Sequence, residues 1–198
     1  MGQTKYLEKM SVINYLTIVV CVLLIGCQSD NDLVALAKRE HASGVILDSL
    51  FLGLKFGMEK QEFFDHCRKI NREGLVTHGN ENMSVMYLFE DMDDQKIAFN
   101  FYPEFKNNKT DKYKATFSYY AWAPWNKELQ SDDLLKILPD ILEEWYGGNA
   151  FIEVRGAKGL HYYKIDGNRQ IDLSIRDDRS VVVYFTDLRK YELAFEQL

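Results

Sequence analysis

Alternation is the first pattern in the chain. Ile97, Phe99 and Phe101 alternate with Ala98, Asn100 and Tyr102, and Tyr113, Ala115, Phe117, Tyr119 and Ala121 alternate with Lys114, Thr116, Ser118, Tyr120 and Trp122. A period of two puts successive side chains on opposite faces of a strand, as in an antiparallel sheet with one face buried. Val85 to Phe89 is a continuous apolar run and predicts a further strand. The Asp91 to Gln95 link is hairpin length, and Pro103 to Lys112 reads as a longer polar loop. Before these strands the spacing changes. Phe63, Phe64, Cys67 and Ile70 make one apolar stripe at i, i+1, i+4 and i+7, predicting a helix over about 58–73 that Gly74 closes. A short strand is expected at Ser49 to Leu52, and a short helix through Leu33, Leu36 and Ala37 before Gly44.

The sequence of patterns then repeats. Ser131 is a good helix cap, with Asp132 and Asp133 at the positive end of the dipole. Leu134, Leu135, Leu138, Ile141, Leu142 and Trp145 form a broad apolar face that ends at Gly147-Gly148. Pro139 lies inside and is expected to kink or split the helix. Strands follow at Phe151–Val154, Leu160–Ile165, Gln170–Ile175 and Val181–Phe185. Asp166-Gly167-Asn168 is a hairpin turn whose residues tolerate positive φ. Asp187 is placed to cap a final helix with Leu188, Tyr191, Ala194 and Phe195. The fold class is therefore α+β. Two tandem helix-then-strand units, about 48–125 and 131–198, are expected to form a continuous or paired antiparallel sheet with helices on one face.

The N-terminus has a different character. Lys5 and Lys9 precede an apolar run from Tyr15 to Ile25, which Leu24-Ile25-Gly26-Cys27 closes. As a helix the run spans roughly 16 Å, about half of a ~30 Å hydrocarbon core, which suits a signal-peptide core. Its last four residues resemble the lipobox of bacterial lipoproteins. That resemblance implies cleavage before Cys27 and acylation of Cys27, leaving 1–26 as signal peptide and 27–47 as tether and lead-in to a globular domain over 48–198. An uncleaved anchor helix reaching back to Val12 is the alternative. Gln28-Ser29-Asp30-Asn31-Asp32 is similar to the polar export tether of Bacteroides-like lipoproteins, which implies an outer-membrane destination, periplasmic or surface-facing; a plain solvated linker is the other reading. Leu54-Lys55-Phe56-Gly57-Met58-Glu59-Lys60-Gln61-Glu62-Phe63 resembles the first-helix opening of two exported groups, the small lipoprotein of the barrel-assembly machinery and the β-lactamase inhibitor protein. Both carry helix-plus-sheet units, and the second implies an inhibitor of a secreted enzyme.

Charge and chemistry narrow the partners. The 198 residues carry 24 basic and 30 acidic side chains. Without Lys5, Lys9 and Glu8 the mature 172 residues have a net charge of −7, which disfavours nucleic acid. Of three cysteines, Cys21 is discarded with the leader, Cys27 is the lipidation site, and Cys67 falls on the buried stripe as an inert thiol. His41, His66, His78 and His161 have no zinc-site spacing, and each reads as a single surface residue. No metal or cofactor is expected. Tyr120, Trp122 and Trp125 are the ligand-contact candidates, in a cluster that puts at least one Tyr and one Trp on the sheet face opposite Phe117, because amphipathic aromatics suit protein or sugar binding. The expectation is a non-enzymatic, membrane-anchored binding or scaffold module for another envelope protein or glycan. The alternative is an envelope hydrolase or glycan-handling protein using two carboxylates.

Overall fold

A computed structural model describes residues 28–79, 84–91, 94–156 and 159–190. Cys27 and the expected helix beyond Lys190 lie outside the described residues. Among these residues three α-helices, α1 (Gln28–Ser43), α2 (Lys60–Arg72) and α3 (Ser131–Tyr146), accompany eight strands. The strands are β1 (Thr77–His78), β2 (Val85–Glu90), β3 (Lys96–Lys106), β4 (Lys109–Tyr119), β5 (Ile152–Gly156), β6 (Gly159–Asp166), β7 (Arg169–Asp177) and β8 (Ser180–Asp187). They form one antiparallel sheet in the order β1-β2-β3-β4-β8-β7-β6-β5. The α+β class is thus observed.

Register shows what each face holds. Phe99 pairs with Phe117, Phe117 with Val181, and Val183 with both Ala115 and Leu173. These residues, with Ile97, Phe101, Tyr113, Ile171 and Phe185, are buried against Phe63 and Cys67 of α2 and Leu134, Leu138 and Leu142 of α3. Phe51 sits at the centre, its ring 4.6 to 5.9 Å from those of Phe99, Phe101, Tyr113 and Phe185.

Several local expectations change. Ser49 to Leu52 is not a strand but the start of a tight reversal, since Leu52 and Gly53 have φ of 51° and 76° and Leu50 N–H donates to Leu54 O. Helix α2 begins at Lys60, not 58, because Gly57 N–H donates to Thr110 O and Met58 O accepts from Thr110 N–H. The polar segment Pro103 to Lys112 is a hairpin: Asn107 and Asn108 adopt φ of 50° and 62°, the sign a tight two-residue turn needs. Pro103 is tolerated because β3 loses β2 as a neighbour after Phe101. Ser131 is the first residue of α3 and its N–H donates to Asp178 O; Gln130 occupies the cap position. Pro139 does not split α3, since buried Leu134, Leu135, Leu138 and Leu142 hold its length against the sheet. After Asp187 the chain makes a 3-10 turn at Leu188–Lys190.

The helices do not all share one face. Alternation puts Ile165 and Ile152 opposite the α2/α3 side, and Leu33, Leu36 and Ala37 of α1 pack on them with Leu188. Helix α1 is longer than expected and takes in the polar run from Gln28 to Asp32. Glu40 accepts from Gly167 N–H at 2.9 Å, Arg39 donates to Asn149 at 3.2 Å, and Leu47 N–H donates to Asn168 at 2.6 Å. Beneath this corner Lys164, 0% exposed, and Arg169 both pair with Asp166, at 3.0 and 3.4 Å. Gly148 has φ of 80°, and a Cβ there would lie 2.2 Å from Asp166 Oδ1, so only glycine fits.

Candidate functional site

The aromatic triplet read from the sequence is not a sheet face. Strand β4 stops at Tyr119: Tyr120 N–H donates to Lys96 O, and Trp122 N–H then turns back to Tyr119 O. Residues 120–126 therefore form a turn at the end of the sheet, so the alternation expected to put a Tyr and a Trp on the face opposite Phe117 does not extend through them. Trp122 is half-buried; its Nε1 donates to Gln130 at 3.3 Å, and the Arg179 guanidinium lies over its ring at 5.4 Å. It ties this connection to the β7–β8 turn. Tyr120 and Trp125 are exposed, Trp125 by 84%. Two residues beyond Ser118, Tyr120 lies at the end of the face that Ser118 occupies.

That second face, away from α2 and α3, carries a more ordered group. Lys114 pairs with Tyr184, Tyr184 with Asp172, and Asp172 with Tyr163. These four residues make one row across β4, β8, β7 and β6. Neighbouring strands are about 4.8 Å apart, so the row is roughly 14 Å long. Tyr102 continues it in register on β3, but its ring turns over the free edge to lie 6.0 Å from both Phe63 and Phe105. Lys112 and Lys114 place their ammonium groups 5.9 and 5.8 Å from the Tyr184 ring centre, which fixes that ring between two cations.

At the other end, His161 Nδ1 lies 3.1 Å from Asp172 Oδ1, and the His161 and Tyr163 rings stack at 5.7 Å. Tyr163 Oη is 3.4 Å from the same His161 nitrogen. Burial pushes the Asp172 carboxyl above its usual range, against the opposing pull of the His161 hydrogen bond and the Lys112 charge. Ser174 stands opposite His161 on this face. His161 is therefore a half-buried, partnered residue rather than a single surface one. His66 is likewise engaged, its Nε2 2.7 Å from Leu52 O.

None of Lys114, Tyr184, Asp172, Tyr163 and His161 was singled out from sequence as a contact. Their period-2 positions were legible, and the β6–β7 and β7–β8 hairpins bring His161, Tyr163, Asp172 and Tyr184 together; only Lys114 depends on β4 lying beside β8, which no local signal encodes. Cys67 is buried on α2 as expected, and burial pushes its thiol up to about 11, so it is neutral and unreactive. Among the described residues no cluster of three or more His, Cys, Asp or Glu is placed to hold a metal ion, and no helix is long and apolar enough to cross a membrane. Comparisons with protein-family models, with curated proteins and with solved structures return no match.

Proposed function

We propose that the chain is a lipid-anchored envelope protein that works as a non-enzymatic binding module, docking another protein through the second face of its sheet. The observation that carries this reading is the Lys114–Tyr184–Asp172–Tyr163 row. It combines amphipathic rings with charges already held in place by neighbours, so little side-chain entropy is lost on contact. Tyr120 extends the contact at the β4 end and Trp125 flanks it; Trp122 acts by holding that end in shape.

Cys27 is the proposed anchor, as the lipobox resemblance implies, with the outer membrane as destination. Helix α1 starts at the next residue and is docked on the body by Leu33, Leu36 and Ala37, with Glu40 and Arg39 bonded to Gly167 and Asn149, so the anchor is proposed to join a docked helix rather than a loose tether. The two helix-plus-strand stretches are proposed to be related units. The strand order supports this: each stretch contributes four strands in sequence order, and the last strand of each, β4 and β8, meet at the middle.

Two measurements test this. Cys27→Ser should move the protein from the membrane fraction to the soluble fraction; retention in the membrane would defeat the anchor. A partner recovered by the wild-type chain should be lost from Lys114→Ala/Tyr184→Ala with unchanged circular dichroism and melting temperature. Equal recovery would defeat the docking face.

One observation favours the hydrolase alternative: a carboxyl raised by burial beside a histidine, Asp172 with His161, is a combination common at catalytic sites. Turnover of an envelope glycan or ester abolished by Asp172→Asn would favour it over docking. An inhibitory partner, the narrowest form of the docking reading, requires that the captured protein be a secreted enzyme and lose activity when bound.

A further inference from the structure

On the helix side of the sheet, remote from the proposed docking face, a cavity of about 310 Å³ opens among Leu50, Phe51, Leu52, Tyr87, Trp145 and Tyr146. Three elements build it: the reversal after Ser49, strand β2 and the last turn of α3. Among the described residues its walls are four aromatic rings and two leucines, with no charged or amide side chain. Each wall is held from behind. Phe51 is locked among four core rings. Trp145 rests edge-on against Phe89 at 5.1 Å and Phe99 at 6.3 Å. The Tyr146 ring is backed by the Arg169 guanidinium at 4.4 Å.

Two features separate this cavity from ordinary imperfect packing. The loop that supplies half of the lining is strained: Leu52 adopts a φ of 51°, a left-handed conformation costly for a leucine. That conformation is held by the Leu50 to Leu54 hydrogen bond and by His66 on Leu52 O, at 2.8 and 2.7 Å. Strain of this kind persists where surrounding structure over-determines it, and it clusters at ligand clamps. The second feature is the lining itself. The cavity is an open cleft whose volume falls at the lower end of small-molecule pockets, which are lined mainly by aromatic and aliphatic side chains with a few polar groups, and it leaves room for two fused rings.

We infer that the cavity binds a small, uncharged, flat ring molecule of about two fused rings. A sugar fits it poorly, because its hydroxyls would find no carboxylate, amide or guanidinium in the lining. The inference does not rest on the docking face, which lies on the other side of the sheet and shares no residue with the cavity.

The test uses the purified full-length chain with quinoline, a fused-ring molecule uncharged at neutral pH, and N-acetylglucosamine as the sugar arm. Saturation-transfer NMR should show magnetisation passing from protein to quinoline and not to the sugar. Quinoline should also raise the melting temperature. Trp145→Ala and Tyr87→Ala, each removing one partly exposed wall, should weaken quinoline binding at least tenfold. Arg155→Ala, at an exposed position of strand β5 at the opposite end of the sheet from β2, should leave it unchanged. If Trp145→Ala proves unfolded by circular dichroism, Tyr87→Ala alone decides. Absence of transfer to quinoline, equal transfer in the Tyr87→Ala chain, or displacement of quinoline by the sugar would each overturn the inference.

Discussion

The two faces of this sheet are built from the same alternation and do different work. On the helix side Phe99, Phe117, Val183 and Phe185 are fully buried within the apolar cluster. One residue along each strand, the other side holds Ala98, Asn100, Thr116, Ser118, Val182 and Thr186 beside Tyr184, and toward β6 the row and its neighbours Lys114, Asp172, Tyr163 and His161 paired across strands. One face is held by area removed from water, the other by charge placed over rings and by side-chain hydrogen bonds. Burial per residue therefore stabilises the first face far more than the second. The second face is then free to vary its chemistry toward a partner.

The sharpest way to break this contrast is at the helix face. Phe99→Ala should cost about 3–5 kcal/mol, as a large ring removed from a close-packed core leaves a cavity. Asp166→Ala should cost about as much, roughly 3–5 kcal/mol, because it leaves Lys164 and Arg169 buried without their shared anion. Chemical denaturation reads both; a loss below about 1 kcal/mol in either would contradict the account of this face. Tyr184→Ala, by contrast, should cost at most about 1 kcal/mol in the same assay, since it loses a half-exposed ring and two exposed-face cation contacts. A loss as large as that of Phe99→Ala would erase the distinction between the faces.

Acidity separates the faces by sign. Asp187 pairs with Arg169 in register on the helix side. Burial alone would raise its pKa, but hydrogen bonds from Arg189 and Asn168 outweigh burial and hold the carboxyl below its usual range. A lowered carboxyl contributes stability above its unfolded pKa and loses it as pH falls through the folded value. Asp187→Asn should therefore destabilise the neutral protein and flatten the acid limb of its stability curve. Asp172 is raised by burial, so its contribution runs the other way: it is most favourable below the unfolded value and declines as pH climbs through the folded one. Asp172→Asn should gain on the wild type above that pH and lose the advantage below it. Melting temperatures across pH 3 to 8 would show the two variants diverging in opposite directions; parallel curves would contradict the assignment.

The smallest expected effect concerns Tyr146. Among the described residues its buried hydroxyl has no hydrogen-bond partner, so Tyr146→Phe removes an unsatisfied group and no described bond. The variant should match or exceed the wild type by up to about 1 kcal/mol, the scale of an unmade hydrogen bond. A clear loss in calorimetry would mean that the hydroxyl is engaged.

Much of the helix face was legible in sequence, because period and burial coincide there. The Phe63, Cys67 and Ile70 stripe of α2, the Leu134 to Leu142 face of α3 and the Asp166-Gly167-Asn168 turn appear where the residues place them. Local signals erred where the backbone answers to distant partners. Pro103 and the Asn107-Asn108 pair look like loop chemistry, yet they belong to a long hairpin whose Pro sits at a free edge. Leu33, Leu36 and Ala37 announce a helix but not the surface it covers, and that surface proved to be the β5–β6 corner of the opposite face. Tyr120, Trp122 and Trp125 stood out by composition. The row comes from four separate strands: consecutive hairpins align Tyr163, Asp172 and Tyr184, and the non-local β4–β8 pairing adds Lys114.

The central claim is that the second face meets a protein and the helix face does not. A photo-cross-linking residue at Tyr184, set against one at exposed Lys136 on α3, tests it most directly in the membrane-bound full-length chain. Adducts from position 184 and none from 136 are the predicted result. Adducts from 136 alone would contradict it.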